Sequence, residues 1–480
     1  MSSALNRNPV RIAIVGGGIA GLSAAWQARQ DFGAAAEIHV LEAADRLGGK
    51  LHTVDFETGP VDMGAEAFLG LRQDFVDFVH ELGMSEELRT PATDKPSALW
   101  VGDQLVDIPK RTFMGIPARG ADVQAVVGEK VASLIDAEIT TPPVEWTPGQ
   151  DISVGELVES RFGKDVVDLL VTPMLSGVYS TDAHGLGVRA TMPQLAEELD
   201  ERGANSGHFH LSEVISAMLK KREESSETQN KNTQRPPVFR SLAQGYGSLV
   251  EALVAQSGAE IHLTTEVSGI SREAHAWQVD PLGEVDALIL AVPAPIAAGL
   301  LGGSAPRVAE ALRSIELASS VVVGMRFASD EGIPERSGVL IGTQASTDAK
   351  AFTFSSKKWP HLAERGGALL RASFGTAGDT SYLQAEDSTL VELALRDLQT
   401  ITGSELLPEE TYVQRWWGGI PRYGVGHMET VHEVETAVRS VPGLGVAGAM
   451  LNGVGVPAAA ATGRAAVRKI RADLTLMPPR

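Results

Sequence analysis

Cysteine is absent from the 480 residues. Its absence excludes disulfides, zinc–thiolate sites, iron–sulfur clusters, catalytic thiols and thioether-linked cofactors, and it fits a reducing cytosol. Aromatic residues are scarce at 5%. Positive charge is also in short supply, with 41 Lys and Arg against 61 Asp and Glu, a net charge of −20. Nucleic acid is thereby excluded as a partner, because neutralising phosphates needs a basic surface. A small carboxylate remains an admissible ligand, since a local basic cleft can focus field in an acidic protein.

Uninterrupted apolar runs are missing too. Residues 287–306 and 440–463 carry no charge, but the first holds Pro293, Pro295 and Pro306 and the second Pro442, Pro457 and repeated glycines. A membrane-spanning helix needs about 20 mainly apolar residues with continuous backbone bonding. Each stretch is therefore expected to form a buried strand, a turn and a helix, and no transmembrane segment is expected. Residues 1–9 are short and polar, without the apolar centre of a signal peptide. What remains is a chain with 43% hydrophobic and 21% charged residues, enough for large cores and roughly three domain-sized units.

Glycine is plentiful, at 50 residues, and unevenly placed. An apolar run over 10–15 leads into Gly16-Gly17-Gly18-Ile19-Ala20-Gly21, and Leu22, Ala24, Ala25 and Ala28 continue as a small-residue helix. A break over 31–36 precedes a second strand that ends at Glu42, 21 positions beyond Gly21. This is a complete βαβ unit. Gly16 permits the tight turn, Gly18 lets a pyrophosphate approach the backbone, and Gly21 allows close packing of helix on strand. The helix N-terminus faces the phosphates, and Glu42 accepts from ribose hydroxyls. Gly443-Leu444-Gly445-Val446-Ala447-Gly448 repeats the glycine pattern but lacks both an uninterrupted helix and the distant acid, so it reads as a glycine-rich turn.

The chain continues Glu42-Ala43-Ala44-Asp45-Arg46-Leu47-Gly48-Gly49-Lys50, then Gly64-Ala65-Glu66-Ala67-Phe68 after a turn at Gly59-Pro60. Gly48 and Gly49 permit a tight turn over phosphates, to which Arg46 can bring charge. Glu42, Arg46, Gly48 and Gly49 placed after a dinucleotide unit resemble the FAD-binding signature of the amine oxidase and phytoene desaturase superfamily. The resemblance implies that a C-terminal segment, here 445–448, 453–457 and 458–467, returns to cover the flavin. It implies FAD contacts at Gly16, Gly18, Ile19, Ala20, Gly21, Glu42, Ala43, Arg46, Gly48, Gly49, Lys50, Gly64, Ala65, Glu66, Val267, Gly448, Gly455, Val456 and Ala458. No second complete dinucleotide unit exists, which argues against a built-in NAD(P)H domain.

Hydrophobic periodicity and breakers give an α/β fold. A Rossmann-like FAD-binding domain is expected from discontinuous segments 1–72, 238–296 and 426–480. A helical substrate-side insertion is expected over 73–221, a flexible loop over 222–237, and a mixed-sheet substrate domain over 297–425. Residues 260–270 read as one strand.

Three central motifs narrow the resemblance: Gly177-Val178-Tyr179-Ser180-Thr181-Asp182, Phe239-Arg240-Ser241-Leu242-Ala243-Gln244-Gly245-Tyr246, and Gly418-Gly419-Ile420-Pro421-Arg422-Tyr423-Gly424-Val425-Gly426-His427. With the flavin segments they resemble the HemY-type porphyrinogen oxidases over nearly the whole chain. Gly64-Ala65 stands where Gly-Pro is common in that family, and Gly245-Tyr246-Gly247 where a double glycine is usual. The resemblance implies six-electron oxidation of a porphyrinogen in haem biosynthesis, in three two-electron steps on one FAD. Hydride would leave a methylene bridge for the flavin N5, with dioxygen regenerating the cofactor and yielding hydrogen peroxide.

No catalytic side chain is assigned, in keeping with chemistry that belongs to the cofactor. Arg72 and Arg422 are candidates for the substrate propionates, and Tyr179 and Tyr423 for lining the macrocycle slot. An ion pair for Arg72 and core packing for the tyrosines are the competing readings. Glu66 can orient a proton or the flavin. His208 and His210, two apart, and His427 and His432, five apart, lack metal-ligand spacing, and no metal is expected. Coproporphyrinogen III is the favoured substrate, with protoporphyrinogen IX as the alternative. A flavin amine oxidase, a carotenoid desaturase and a tetrapyrrole-binding flavoprotein are more remote alternatives. Transient contact with neighbouring haem-pathway enzymes and peripheral membrane contact stay open.

Overall fold

The computed structural model describes residues 9–229, 236–273 and 276–476. The chain divides into two compact units. The first comprises Met1–Arg89, Val238–Glu316 and Glu429–Arg480, and the second Thr90–Pro237 and Leu317–Met428.

The first unit is built on five strands, β1 (Arg11–Val15), β2 (Glu37–Leu41), β3 (Glu260–His262), β4 (Ala287–Leu290) and β5 (Leu444–Val446). Their order across the sheet is β3-β2-β1-β4-β5, and every pairing is parallel. A parallel sheet is covered on both faces, which explains why these short strands read as near-continuous apolar runs. On one face Ile12, Ile14, Ile38, Val40 and Ile289 pack with Ala24, Ala28, Val467 and Ile470. These last four belong to helices α1 (Ile19–Phe32) and α2 (Val456–Leu476). On the other face Ala13, Val15, Leu288 and Leu290 meet Trp277, Val279 and Val285. Those three come from an antiparallel sheet of Gly269–Glu273, Ala276–Asp280 and Gly283–Val285.

Two features differ from expectation in this unit. Residues 73–89 and 297–316 belong to it as well, and 426–428 belong to the second unit. The single strand expected over 260–270 is two strands in two sheets, β3 and Gly269–Glu273. Thr264 adopts φ +49° between them, and the Thr264 and Thr265 N–H groups turn back to donate to Ala44 O and Glu42 O at 2.9 and 2.8 Å. Apolar periodicity does not register a single left-handed residue of this kind.

The second unit contains a seven-stranded mixed sheet. Its order is Glu410–Pro421, Leu317–Phe327, Ala368–Phe374, Ala351–Thr353, Gly338–Ile341, Ala98–Val101 and Gln104–Asp107. The last two strands come from the segment expected to be helical. They form a hairpin over Gly102 and Asp103, both at positive φ (55° and 59°), and Ala98–Val101 joins the sheet parallel to Gly338–Ile341. A two-residue Gly-Asp turn with both φ positive matches the right-handed strand twist. The segments 73–221 and 297–425, expected as separate domains, therefore share one sheet.

Helices Gln124–Ala137, Val154–Phe162, Thr172–Tyr179, Pro193–Ser206 and Leu211–Gln229 complete the helical part. The last of them runs eight residues into the expected loop. Its Lys220–Glu224 pair at 3.8 Å and its run of charged helix formers favour continuation. Residues 230–235 lie outside the described residues. No helix among the described residues is long and apolar enough to cross a membrane.

Candidate functional site

The glycine turn after β1 is shaped by close approach. Gly16 has φ +108°, and a Cβ there would stand 2.5 Å from Ala291 O; one on Gly21 would stand 1.9 Å from Gly16 O. No side chain fits at either position. Gly18 precedes the first turn of α1, which runs through Ile19, Ala20 and Gly21. The first turn of a helix leaves backbone N–H groups available to an anion. The Glu42 carboxylate accepts from Gly17 N at 2.7 Å and from Ala44 N at 2.9 Å. Two backbone donors hold the carboxylate in place, and its remaining lone pairs can accept hydroxyl donors.

Gly48 and Gly49 have φ +98° and +57°, and Gly48 N donates to Gly17 O at 2.9 Å. The two glycine segments abut, since a Cβ on Gly49 would lie 3.1 Å from Gly18 Cα. Arg46 donates to Leu47 O and Leu51 O at 3.1 Å and to Gly49 O at 2.8 Å. These bonds hold the turn together. Ala43 and Lys50 flank this turn as exposed residues.

The returning C-terminal segment adds a second set of small residues. Gly448, at φ +136°, follows β5 and donates to Thr462 Oγ1 at 2.9 Å. Gly455 accepts from Ala459 N at 3.0 Å as α2 begins at Val456, with Ala458 buried beyond it. A Cβ on Gly463 would stand 1.9 Å from Ala20 O, so α1 and α2 cross at backbone contact. Elsewhere in the unit, Ala65 packs beside Gly64 against the cluster of Leu22, Phe68 and Tyr246, and Glu66 O accepts from Ser241 Oγ at 2.8 Å. Val267 is buried with Trp277 and Val279, which leaves its backbone for any cofactor contact.

Sequence reasoning missed Asp62. Its buried carboxylate accepts from Thr53 Oγ1 at 2.5 Å and from Tyr246 N at 3.0 Å, and Thr53 Oγ1 accepts from Gly247 N at 2.8 Å. This network fixes the Gly245-Tyr246-Gly247 turn. Burial, with Asp62 and Glu66 nearby, pushes the Tyr246 phenol well above its ordinary pKa. The only sequence signal was an acid within the apolar Val61-Asp62-Met63 run.

In the second unit three substrate candidates come together. Tyr179 and Tyr423 have ring centroids 6.0 Å apart, and Tyr423 stacks on His427 at 3.9 Å. Tyr423 is 2% exposed, so it backs Tyr179 as core packing. Tyr179 is half-buried, and desolvation raises its phenol pKa. Arg422 Nε donates to Gly185 O at 3.2 Å. Arg72 lies in the first unit, where its guanidinium forks onto Asp74 at 2.8 and 2.7 Å in an ion pair at a helix start. A further cation, Lys350, carried no sequence signal. Its ammonium donates to Ser180 Oγ at 2.9 Å and to Gly375 O at 2.6 Å, and desolvation lowers its pKa to about 8.

A parallel sheet with a glycine cradle, a carboxylate anchored at the end of its second strand and a returning small-residue helix fits a dinucleotide cofactor, and defines a dinucleotide-binding α/β protein. The flavin containing amine oxidoreductase family matches residues 19–471. Coproporphyrinogen III oxidase of Mycobacterium tuberculosis (strain ATCC 25618 / H37Rv) is 39% identical over 471 residues, spanning 97% of this chain and 98% of the relative. Coproporphyrinogen III oxidase of Bacillus subtilis (strain 168) is 30% identical over 95% of this chain and 97% of its own. A crystal structure from Exiguobacterium sp. 255-15, provisionally named a protoporphyrinogen oxidase, superposes with a TM-score of 0.83 at 28% identity and covers 98% of this chain and 99% of that one. The chain belongs to the flavin containing amine oxidoreductases and, within them, to the HemY-type porphyrinogen oxidases. It is an FAD-dependent oxidoreductase.

Proposed function

We propose that the protein oxidises coproporphyrinogen III to coproporphyrin III in haem biosynthesis, with dioxygen as terminal acceptor and in the cytoplasm. The observation that carries this reading is similarity along the full chain to relatives bearing that activity in their names. FAD supplies the two-electron acceptor for hydride leaving a methylene bridge, and three rounds remove six electrons.

The residues of this chain bind and orient. We assign the first unit to FAD, with Gly16, Gly18, Gly21, Gly48 and Gly49 giving backbone access and Glu42 accepting from the ribose. Gly448, Gly455, Val456 and Ala458 close the site from the C-terminal side. In the second unit we assign the half-buried ring of Tyr179 to the macrocycle and Arg422 to a propionate. Lys350 adds positive charge beside Ser180. Arg72 would have to release Asp74 to bind a propionate. No side chain need act as nucleophile, because positioning the methylene bridge is the protein's main contribution.

A second reading, protoporphyrinogen IX oxidation, is favoured by the name of the Exiguobacterium structure. The two substrates differ in propionate number, four against two. Measured kcat/KM on both decides between them: a clear preference for coproporphyrinogen III is expected, and a large preference for protoporphyrinogen IX overturns the assignment.

A further inference from the structure

Three side chains that the flavin assignment leaves unused converge at the edge of the parallel sheet. His39 lies in β2, and Glu260 and His262 lie in β3. Parallel pairing places Glu260 opposite His39 and His262 opposite Leu41. Alternate residues of a strand share a face, so Glu260 and His262 both point to the side that carries His39. His39 Nδ1 is 3.1 Å from His262 Nε2 and 3.4 Å from Glu260 Oε2, and His262 Nε2 is 3.7 Å from Glu260 Oε1.

With one oxygen of Glu260 as the ligand, the three donor atoms lie within 4.8 Å of one another, close enough to share one cation. A tetrahedral zinc ion bonded to nitrogen and oxygen at about 2.0–2.1 Å holds its ligand atoms about 3.3 Å apart. A hydrogen bond between the two imidazoles accounts for the shortest distance, and the carboxylate lies within ion-pair reach of both rings. We propose that His39, Glu260 and His262 form a binding site for a divalent transition-metal cation of the zinc type. Two imidazoles and one carboxylate are the donor set such ions take, whereas magnesium and calcium favour oxygen ligands alone.

The surroundings suit a cation. The nearby Arg11 guanidinium is paired with Glu37 at 2.9 Å, and the carboxylate of Glu260 faces both rings. The side chain of Glu260 is 66% exposed and that of His262 25% exposed, which leaves a coordination position open to water. Ligand spacing along the chain could not reveal this set, because His39 and His262 are 223 residues apart. A bound ion would fasten β3, from the middle of the chain, to β2, from its start.

The test is calorimetric titration of metal-free holoenzyme, full chain, with zinc chloride at neutral pH. One saturable zinc ion per chain is expected. Glu260→Gln and His262→Asn, both at accessible positions, are each expected to weaken binding at least about tenfold, since loss of a ligand costs no less than loss of a partner supporting one. Circular dichroism and flavin absorbance of both variants should match those of the parent, and X-ray absorption of the zinc complex should show two imidazole ligands. Absence of saturable binding to the parent, or equal binding by parent and both variants, overturns the proposal. Zinc binding and porphyrinogen oxidation are read by separate measurements, so failure of one leaves the other standing.

Discussion

The Glu42 carboxylate accepts the backbone N–H of Gly17 at 2.7 Å, joining the glycine turn to the end of β2. A second bond from Ala44 N at 2.9 Å fixes the same carboxylate from the other side. The acid is thus oriented by the backbone, which under the proposed assignment to the ribose removes part of the ordering cost of binding. Glu42→Ala is expected to lower FAD affinity at least about tenfold, for the loss of one or two charge-assisted hydrogen bonds. Flavin content after dialysis measures this, with circular dichroism confirming that the fold is kept.

Gly463 of α2 meets Ala20 of α1 at backbone contact, and a Cβ there would stand 1.9 Å from Ala20 O. Gly463→Ala is expected to force the helices apart and cost about 2–3 kcal/mol, as overpacking does when the facing atom is backbone. Gly299→Ala is the control. It lies in helix Ala294–Leu301 with open space around it, and a gain of about 0.5–1 kcal/mol is expected from helix propensity. Chemical denaturation of both variants checks the contrast.

Glu138 is buried and accepts from Arg161 Nε at 2.7 Å, Leu211 N at 3.0 Å and Ser212 Oγ at 2.6 Å. Burial alone would raise its carboxyl pKa, but the Ser212 hydroxyl, Arg161 and the Leu211 N–H outweigh it and hold the group below its ordinary value. The folded form therefore binds this proton less readily than the unfolded chain. Its stabilising contribution is present above the ordinary glutamate pKa and is lost as pH falls through the lowered folded value. Glu138→Gln is expected to destabilise the second unit at neutral pH by about 3–5 kcal/mol and to flatten the acid limb of the melting profile. Melting temperatures from pH 7 down to acid conditions read both effects.

Lys350 titrates with the opposite geometry of charge. Desolvation lowers its pKa to about 8 from 10.5. Between those values the unfolded chain holds the proton and the folded chain does not, so stability rises with pH across that window. Lys350→Met removes the effect. The parent is expected to gain about 2 kcal/mol relative to the variant between pH 8 and pH 10. Equal pH slopes for the two proteins would refute the assignment.

Much of the first unit was legible in the chain. The glycines at 16–21 and 48–49 and the acid at Glu42 carry their conformational demands in their identity, because few residues other than glycine accept the backbone angles or contacts found there. The strand, turn and helix at both uncharged stretches were legible for the same reason, as proline and glycine rule out one long helix. What escaped was relational. Thr264 at φ +49° splits one apparent strand into two sheets, and the Gly102–Asp103 hairpin sends two strands out of an apparently helical segment. The sequence did not show the local partners of Arg46 and Arg72, backbone carbonyls in one case and Asp74 in the other. Asp62, Lys350 and the pair His39 and His262 gain meaning only from residues far away in the chain.

Anaerobic mixing of the holoenzyme with coproporphyrinogen III tests the central claim most directly. The oxidised-flavin absorbance is expected to bleach while porphyrin fluorescence appears, with flavin colour returning on admission of dioxygen. A flavin that stays oxidised in the presence of bound porphyrinogen would contradict the account.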